Sequence, residues 1–497
     1  MDTLFLDGQR AVTAARQQNM VKLLNGHFSV KQICYHVDSI KLGVELETLF
    51  YIPVDQVYDF FYRTKWRFPR KIDFDSRSPE QVKIVNKVAS QINACMRDIK
   101  AENNQMLVRI HEKNPVFISG KMLRVYLLTS IRTTVMQYAS RDVAKAFERL
   151  GCEVYLDIEK DERESLNDNH ILQSIYSFNP HIVININNPN HYFNLHPDVY
   201  NVVWYQDPTP DIRSGKPLPW RKRDLVFSAY PAFDELIRAT GAPVVERQDM
   251  CVDLACFRNT TPRDARHKVV FIGSSYHHFL HAHPVEERIF HLLRDMFEQG
   301  EPIPDTLIQD LARQTGIPYI QINQYIFTCV VRNRSVEWLC ELAPDLAWEV
   351  EVYGRFWDRI PLVAPYYRGE LHHGEAVATV YNQARYALSP HQRLIKSQRL
   401  VEITACGAFP VVNDDRLYTE PPHWEDKILF YRTRDELWEC LHREPQHDPG
   451  VIAESFSYDA LARRVLDKVS ADSGWMPPFQ SETIGLDSER SSGLKGS

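Results

Sequence analysis

The sequence lacks a long hydrophobic run, because no stretch reaches the roughly 18 apolar residues that cross a bilayer. The first residues, MDTLFLDGQRAVTAARQ, include early acidic side chains and contain no apolar core of the kind found in secretory signals. An excess of positive charge is also missing: the net charge is −7, so nucleic acid is not expected as a partner. The 9 cysteines are scattered, which indicates reduced thiols. We therefore expect a cytoplasmic protein without a membrane span.

The composition is ordinary for a globular protein, with 44% hydrophobic and 25% charged residues. A length of 497 residues allows about two to four domains. Residues 1–118 show mostly helical patterns, including a long amphipathic stretch after Ser78. We interpret this segment as a mainly helical accessory domain, and a partner-docking or acceptor-binding module is the alternative.

Strands and helices alternate from Met122 onward. The apolar segments LRVYLLTS, CEVYLDI, HIVININN, VVWYQDP and DLVFSAY read as strands separated by helical patterns. This alternation predicts a parallel, doubly wound sheet over residues 119–250. The carboxyl ends of such strands lie at one rim, where ligands bind. The polar residues expected at that rim are Ser130, Arg132, Asn187, Asn188, Asp207 and Tyr230.

The segment DMCVDLACF leads into a second set of strands and helices, which we assign to residues 251–480. Its expected strands are Lys268–Ile272, WEVEVYG, ALSP, AFPVV and ILFYRT, with a mostly helical insertion at about 302–342. Residues 481–497 are rich in Ser and Gly and are expected to form a disordered tail. The predicted fold class is therefore α/β, with two doubly wound Rossmann-like domains facing a cleft and a mainly helical segment before them. A cleft between two such domains suits an enzyme with two substrates.

The stretch SQRLVEITACGAFPVVN, residues 397–413, predicts a helix that runs into a buried strand. Ser397 can cap the helix, and Gly407 stands where helices end in a left-handed turn. Glu402 lies in the middle of this apolar helix. A carboxylate in such a position needs a partner, whether structural or functional.

These residues resemble the GT-B glycosyltransferases, in particular the group 1 and CgeB-like (spore maturation protein) branch. CVDLACF is similar to the GVDxxxF hinge, with Cys251 in place of glycine, and VVFIGSSY is similar to the first strand and loop of the nucleotide-binding half. EVYGRFW and the segment from YYRGELHHGE to ALSP resemble the following strand and glycine loop. SQRLVEITACGAFPVV resembles the R-x-x-E-x-x-A-C-G signature, which is the most specific match. The resemblance spans about residues 120–470.

The resemblance implies transfer of a hexose-like sugar from a nucleotide donor, expected to be UDP-linked, to an unknown glycan, protein or small-molecule acceptor. It implies no metal and no other cofactor. Many retaining members carry an E-x7-E pattern, whose second position matches Glu402 and whose first falls on Leu394. The donor sugar and the anomeric outcome therefore stay open. A nucleotide-sugar epimerase and a non-catalytic nucleotide-sugar-binding or partner-binding module are the alternatives.

The resemblance assigns Glu402 to the ribose hydroxyls, with a structural pair to Arg399 as the alternative. For the diphosphate, Arg393 and Lys396 precede a helix start, where anions bind, unless they form a solvated loop. Further donor contacts are expected from Ser274 or Ser275, from Arg288, and from the backbone of Gly354, Gly369 and Leu371. Plain turn or surface roles are the alternatives for these residues.

On the acceptor side, Asp207 is a candidate general base for an inverting reaction, although Asp is also common before a proline such as Pro208. Arg132 is a candidate ligand of the acceptor or the phosphate. The histidines at 277, 278, 281 and 283 show no zinc-binding pattern, so we expect a cleft-facing loop and no metal site.

Overall fold

A computed structural model describes residues 2–6, 9–15, 34–38, 49–64, 68–133, 135–160, 166, 168–277, 280, 283–417, 425–443 and 447–476. The chain divides into two compact units, one of Met1–Gln248 with Val465–Ser497 and one of Asp249–Arg464. The tail expected at 481–497 lies outside the described residues. Among the helices of the described ranges, none is long and apolar enough to cross a membrane.

The N-terminal segment carries a parallel sheet that the sequence analysis did not predict. Its order is β3-β2-β1-β4, where β1 is Thr3–Phe5, β2 Cys34–Asp38, β3 Leu49–Pro53 and β4 Lys71–Asp73. Residues 9–15 are helical (α1), followed by α2 (Val57–Arg63) and α3 (Pro79–Glu112). Ser78 caps α3 as expected, because its side chain accepts a hydrogen bond from the Gln81 amide. The mainly helical description is therefore incomplete: the segment is an α/β module.

The remainder of the first unit contains a second parallel sheet of order β10-β9-β8-β7-β5-β6. Its strands are β5 (Arg124–Leu128), β6 (Glu153–Asp157), β7 (Ile182–Ile186), β8 (Tyr200–Tyr205), β9 (Asp224–Ser228) and β10 (Val245–Arg247). Its helices are α4 (Met136–Arg149), α5 (Asp168–Phe178), α6 (Pro210–Arg213) and α7 (Pro231–Ala239). β7 and β8 are buried along their whole length, as expected for central strands covered on both faces.

The second unit holds a five-stranded parallel sheet of order β12-β11-β13-β14-β15. Its strands are β11 (Lys268–Ile272), β12 (Glu349–Tyr353), β13 (Ala384–Leu388), β14 (Phe409–Asn413) and β15 (Leu429–Tyr431). Its helices are α8 (Pro284–Glu298), α9 (Asp305–Thr315), a π-helix (Gln321–Phe327), α10 (Thr328–Leu342), α11 (Glu375–Gln383), α12 (Gln398–Ala405), α13 (Arg434–His442) and α14 (Gly450–Glu454). The last helix, α15 (Tyr458–Ser473), belongs to the first unit from Val465 onward.

Two hydrophobic cores cover the two faces of this sheet. Val269 and Phe271 of β11 belong to one core and Val270 to the other, as the alternation of side chains along a strand requires. The prediction of two doubly wound Rossmann-like domains is therefore confirmed, and the helical insertion near 302–342 is α9, the π-helix and α10.

The stretch at 397–413 folds as its sequence predicts. Ser397 accepts a hydrogen bond from the Leu400 amide at 3.2 Å and caps α12. Gly407 has φ +76°, the left-handed conformation that ends a helix. β14 follows at once, and all its residues are buried.

In both larger sheets the first strand lies between the second and the third. The strand order thus reverses between β5 and β7 and again between β11 and β13. Open α/β sheets bind ligands beyond the carboxyl ends of strands at such a point. Each of these two points lies within one unit and is a candidate ligand-binding position.

Candidate functional site

The β11–β13 crevice is formed by residues 273–276 after β11, residues 389–397 after β13 and the side chains that reach these two loops. Arg332 of α10 and Arg399 of α12 approach it from separate helices. Arg332 donates to the Ser274 carbonyl oxygen at 3.3 Å and stacks 4.0 Å above the Tyr276 ring. Arg399 donates to the Ile272 carbonyl oxygen at 2.8 Å. Two guanidinium groups therefore converge on the end of β11.

Neither guanidinium is neutralised. Within the described ranges, Arg332 and Arg399 form no ion pair with an aspartate or glutamate, and the Nε of Arg332 has no hydrogen-bond partner. Arg332 is only 5% exposed. Burial lowers its pKa to about 10, with a further contribution from the charge of Arg399, so it remains a cation at neutral pH. Buried charges are normally paired. Two buried cations without a described acidic partner therefore lie at the end of β11.

Glu402 lies on α12 three residues beyond Arg399 and is 7% exposed. It does not pair with Arg399. Its Oε1 accepts a hydrogen bond from Gln398 at 2.9 Å and lies 3.1 Å from Nε2 of His373. Both contacts use Oε1, so no described residue occupies Oε2. A carboxylate held by one oxygen can accept hydroxyl groups of a ligand with the other.

The two cations expected to bind phosphate are already paired with acids. Arg393 forms an ion pair with Asp305 of α9 and donates to the Ile303 carbonyl oxygen at 3.0 Å. Lys396 lies 3.4 Å from the carboxylate of Asp249. Both residues stand in the loop after β13 as predicted, but their charges are largely offset. Arg332 and Arg399 are thus better placed to bind an anion.

Gly354 follows β12 and adopts φ +120°. A Cβ at this position would lie 2.3 Å from the Gly273 carbonyl oxygen, so only glycine lets the two loops approach. Ser274 uses its hydroxyl group structurally, because it accepts a hydrogen bond from the Arg355 amide at 3.2 Å. Leu371 packs against the core on one face of the sheet. These residues shape the crevice, and direct ligand contacts by Ser274, Gly354 and Leu371 remain predictions.

Arg288 is exposed near the start of α8 and makes no hydrogen bond or ion pair with any described residue. A phosphate contact by Arg288 remains a prediction. Of the histidine cluster, residues 278 and 281 lie outside the described ranges, and His283 caps α8 by accepting a hydrogen bond from the Val285 amide. The described residues contain no group of His, Cys, Asp and Glu side chains that could hold a metal ion.

The β5–β7 crevice of the first unit contains the expected acceptor-side residues. Arg132 lies 3.7 Å from Glu159, which also accepts a hydrogen bond from the Ser130 hydroxyl group at 2.9 Å. Asn187 donates to Asp207 at 2.9 Å and accepts from the Asp207 amide at 3.0 Å. Desolvation raises the pKa of Asp207, and the hydrogen bond from Asn187 partly opposes this rise. Glu159 and Asn187 also line a cavity of about 380 Å³.

Sequence reasoning missed Arg332 and His391 as members of the β11–β13 crevice. Arg332 stands in the helical segment TCVVRNRSVEWL, where ten of the twelve residues are buried. Half of these twelve residues are polar or charged, so the sequence alone shows no sign that Arg332 is buried. His391 lies in the loop after β13 and forms no sequence pattern that would identify it.

Residues 332–472 match the family model described as "Glycosyl transferase-like", and this region contains Arg332, His391, Arg399 and Glu402. No curated protein matches the sequence.

Among solved structures, sucrose-phosphate synthase from Thermosynechococcus elongatus is similar at 10% identity, covering 71% of this chain and 99% of that one, with a TM-score of 0.43. A glycosyltransferase from Rickettsia africae has 12% identity over 71% of this chain and 98% of that one, with a TM-score of 0.42. Anabaena HepE, in a structure with UDP and glucose, has 12% identity over 70% of this chain and 100% of that one, with a TM-score of 0.37.

Proposed function

We propose that this protein is a glycosyltransferase that moves a hexose-like sugar from a nucleotide donor, UDP-linked, to an acceptor hydroxyl group. The observation that carries the proposal is a pair of cations, Arg332 and Arg399, that form no ion pair with any described acid and lie at the strand-order reversal of the second unit. The family match over residues 332–472 supports the reaction class. The CgeB-like branch and the cytoplasmic location rest on the sequence patterns alone.

In this proposal, Arg332 and Arg399 bind the donor diphosphate. A nucleotide-sugar diphosphate carries one negative charge on each phosphate, and sugar transfer adds negative charge to the leaving oxygen. Two fixed guanidinium groups in a buried site stabilise that charge without having to reorganise. The amides at the start of α12 add favourable dipoles. We propose that these groups make a metal ion unnecessary, so chelation with EDTA should leave activity unchanged.

Glu402 is proposed to bind the ribose hydroxyl groups through Oε2, while His373 and Gln398 hold its Oε1. The backbone near Gly354 and Leu371 is proposed to border the base. Asp207 is the proposed general base on the acceptor side if the reaction inverts, since a carboxyl group whose pKa is raised by desolvation is a stronger base than an ordinary aspartate. Arg132 is proposed to orient the acceptor together with Glu159.

A panel of nucleotide sugars screened by thermal shift tests this proposal, because a ligand that binds the native state raises its melting temperature. We expect a rise with UDP-sugars and a much smaller rise in Arg399→Ala. Arg313→Ala is the matched control, because Arg313 is exposed on α9 and, among the described residues, its ion pair is with Asp310. Equal responses in the two variants, or no response by the wild type to any nucleotide sugar, would contradict the proposed donor site.

A product assay then separates transfer from the alternatives. Release of the nucleoside diphosphate that requires an acceptor supports a transferase. Conversion of the donor sugar without an acceptor would instead indicate an epimerase, and tight binding without any turnover would indicate a binding module.

A further inference from the structure

His391 is held in the β11–β13 crevice by its backbone. It lies three residues beyond the end of β13. Its amide donates to Oδ1 of Asn413 at 2.7 Å, and its carbonyl oxygen accepts from Nδ2 of the same residue at 3.1 Å. Asn413 is the last residue of β14 and is 2% exposed. The backbone of His391, from which the imidazole ring extends, is therefore fixed between the ends of the neighbouring strands β13 and β14.

The ring itself has a defined tautomer. Its Nδ1 lies 3.0 Å from the carbonyl oxygen of Gln392. A carbonyl oxygen only accepts hydrogen bonds, so Nδ1 must carry the hydrogen and Nε2 must hold the lone pair. Nε2 forms no hydrogen bond within the described part of the chain. It is thus an open acceptor in a crevice that otherwise presents cations.

Several charged groups face this ring or its loop. Arg332 approaches from α10 and Arg399 from α12, and Arg393 follows in the loop. Asp415 accepts hydrogen bonds from the Arg393 amide and from Nδ2 of Asn413, each at 2.7 Å. Burial, and then the charges of Arg332 and Arg399, lower the pKa of His391 to about 3. The ring is therefore neutral at pH 7 while the crevice is empty.

We propose that His391 is a third ligand of the donor diphosphate and binds it by taking up one proton at Nε2. The inference rests on the proposed function, since it requires an anion between Arg332 and Arg399. Burial opposes protonation of the free ring most strongly, and a hydrogen bond from the new Nε2–H to a phosphate oxygen offsets it; the two phosphate charges offset the two guanidinium charges that also opposed protonation. The proton comes from solvent, and the new Nε2–H donates to a phosphate oxygen. His391 then adds positive charge beside the leaving group and returns the proton when the nucleotide departs.

Proton uptake on binding is measured by titration calorimetry in buffers of different ionisation enthalpy. UDP-glucose is the probe, because a diphosphate esterified at both ends has no ionisation near neutral pH, unlike UDP itself with a second phosphate pKa of about 6. We expect close to one proton per bound molecule at about pH 6. By linkage, the affinity of the wild type for UDP-glucose falls about tenfold for each unit by which the pH rises, in the range between the low pKa of the free ring and the higher pKa of the bound ring.

Three variants assign the proton. His391→Asn retains a donor that can reach the Gln392 carbonyl oxygen but cannot ionise, and His391→Gln is the second choice if that variant does not fold. Both should bind UDP-glucose without proton uptake. Asp415→Asn is the control, because burial raises the pKa of Asp415 to about 7 and makes it the competing proton acceptor. This variant should keep the uptake.

The possible outcomes test the role of His391 separately from the proposed donor binding. Binding of UDP-glucose without proton uptake, or uptake that persists in His391→Asn, overturns the role of His391 and leaves the proposed function intact. Uptake that disappears in Asp415→Asn and persists in His391→Asn assigns the proton to Asp415 and overturns the proposal in the same way. A folded wild type that does not bind UDP-glucose contradicts the proposed donor, and this inference falls with it.

Discussion

Arg332→Met separates a functional buried charge from a structural one. The pKa of Arg332 is about 10, against an ordinary value of 12.5. Because one pH unit corresponds to about 1.4 kcal/mol, the surroundings of Arg332, chiefly its burial, disfavour the charged form by about 3 kcal/mol. Its hydrogen bond to the Ser274 carbonyl oxygen and its contact with the Tyr276 ring each stabilise the folded protein by about 1 kcal/mol. Methionine fills a similar apolar volume without a charge.

The variant should therefore be as stable as the wild type or more stable by about 1 kcal/mol, as when buried ions are replaced by apolar residues. Donor binding should weaken about 10- to 100-fold, because a charge-assisted hydrogen bond to phosphate contributes about 1.5–3 kcal/mol. Urea unfolding gives the stability from the shift in midpoint at constant slope. Titration calorimetry with UDP-glucose gives the affinity.

Arg266→Met is the matched control. Arg266 is also buried, at 3% exposure, but its guanidinium donates to the carbonyl oxygens of Thr261, Tyr381, Ala384 and Cys406. Its loss leaves several buried acceptors unpaired and should cost at least about 3 kcal/mol of stability. Donor affinity of the folded fraction should stay the same. If Arg332→Met behaves like this control, with lost stability and unchanged affinity, Arg332 is structural and the reasoning is refuted.

Three further predictions concern other residues of the two crevices. Gly354→Ala should lower the free energy of unfolding, measured with urea, by about 3 kcal/mol or more, because the new Cβ would meet the Gly273 carbonyl oxygen. Gly369→Ala is the control: Gly369 has φ +96° with open space around it, so this variant should lose only the backbone strain of about 1–2 kcal/mol. Glu402→Gln should lose most of the preference in binding affinity for UDP over 2′-deoxy-UDP. An unchanged ratio of affinities would show that Glu402 does not bind the ribose. Asp207→Asn should lower turnover about 100-fold or more without changing donor affinity; in the wild type, kcat/KM should fall as acid protonates Asp207, at a higher pH than for an ordinary aspartate because its pKa is raised.

The larger sheets could be read from the sequence because their strands are buried on both faces. All residues of Ile182–Ile186 and Phe409–Asn413 are buried, and each strand is mostly apolar, with Asn185 and Asn413 as the polar exceptions. Two strands of the N-terminal sheet could not be recognised in this way. Thr3–Phe5 and Lys71–Asp73 have three residues each, and Lys71–Asp73 is nowhere fully buried. Such short strands show neither a run nor an alternation long enough to detect.

The sequence indicated where the candidate site lies, but not which of its cations are paired with acids. Glu402 and the loop before Ser397 are local features of one stretch. The acids that pair with Arg393 and Lys396 stand 88 and 147 positions away in the sequence, so their effect appears only after folding. Arg332 reaches Ser274 across 58 positions for the same reason. Local sequence indicates which cations lie near the candidate site, whereas the tertiary structure determines which of them are paired with described acids.

A crystal structure with a bound nucleotide sugar tests the central claim most directly. We predict that phosphate oxygens lie within about 3 Å of the guanidinium groups of Arg332 and Arg399, the distance of a charge-assisted hydrogen bond. The ribose hydroxyl groups should contact Oε2 of Glu402. A diphosphate bound instead by Arg393 and Lys396, with their ion pairs broken and Arg332 untouched, would contradict the account.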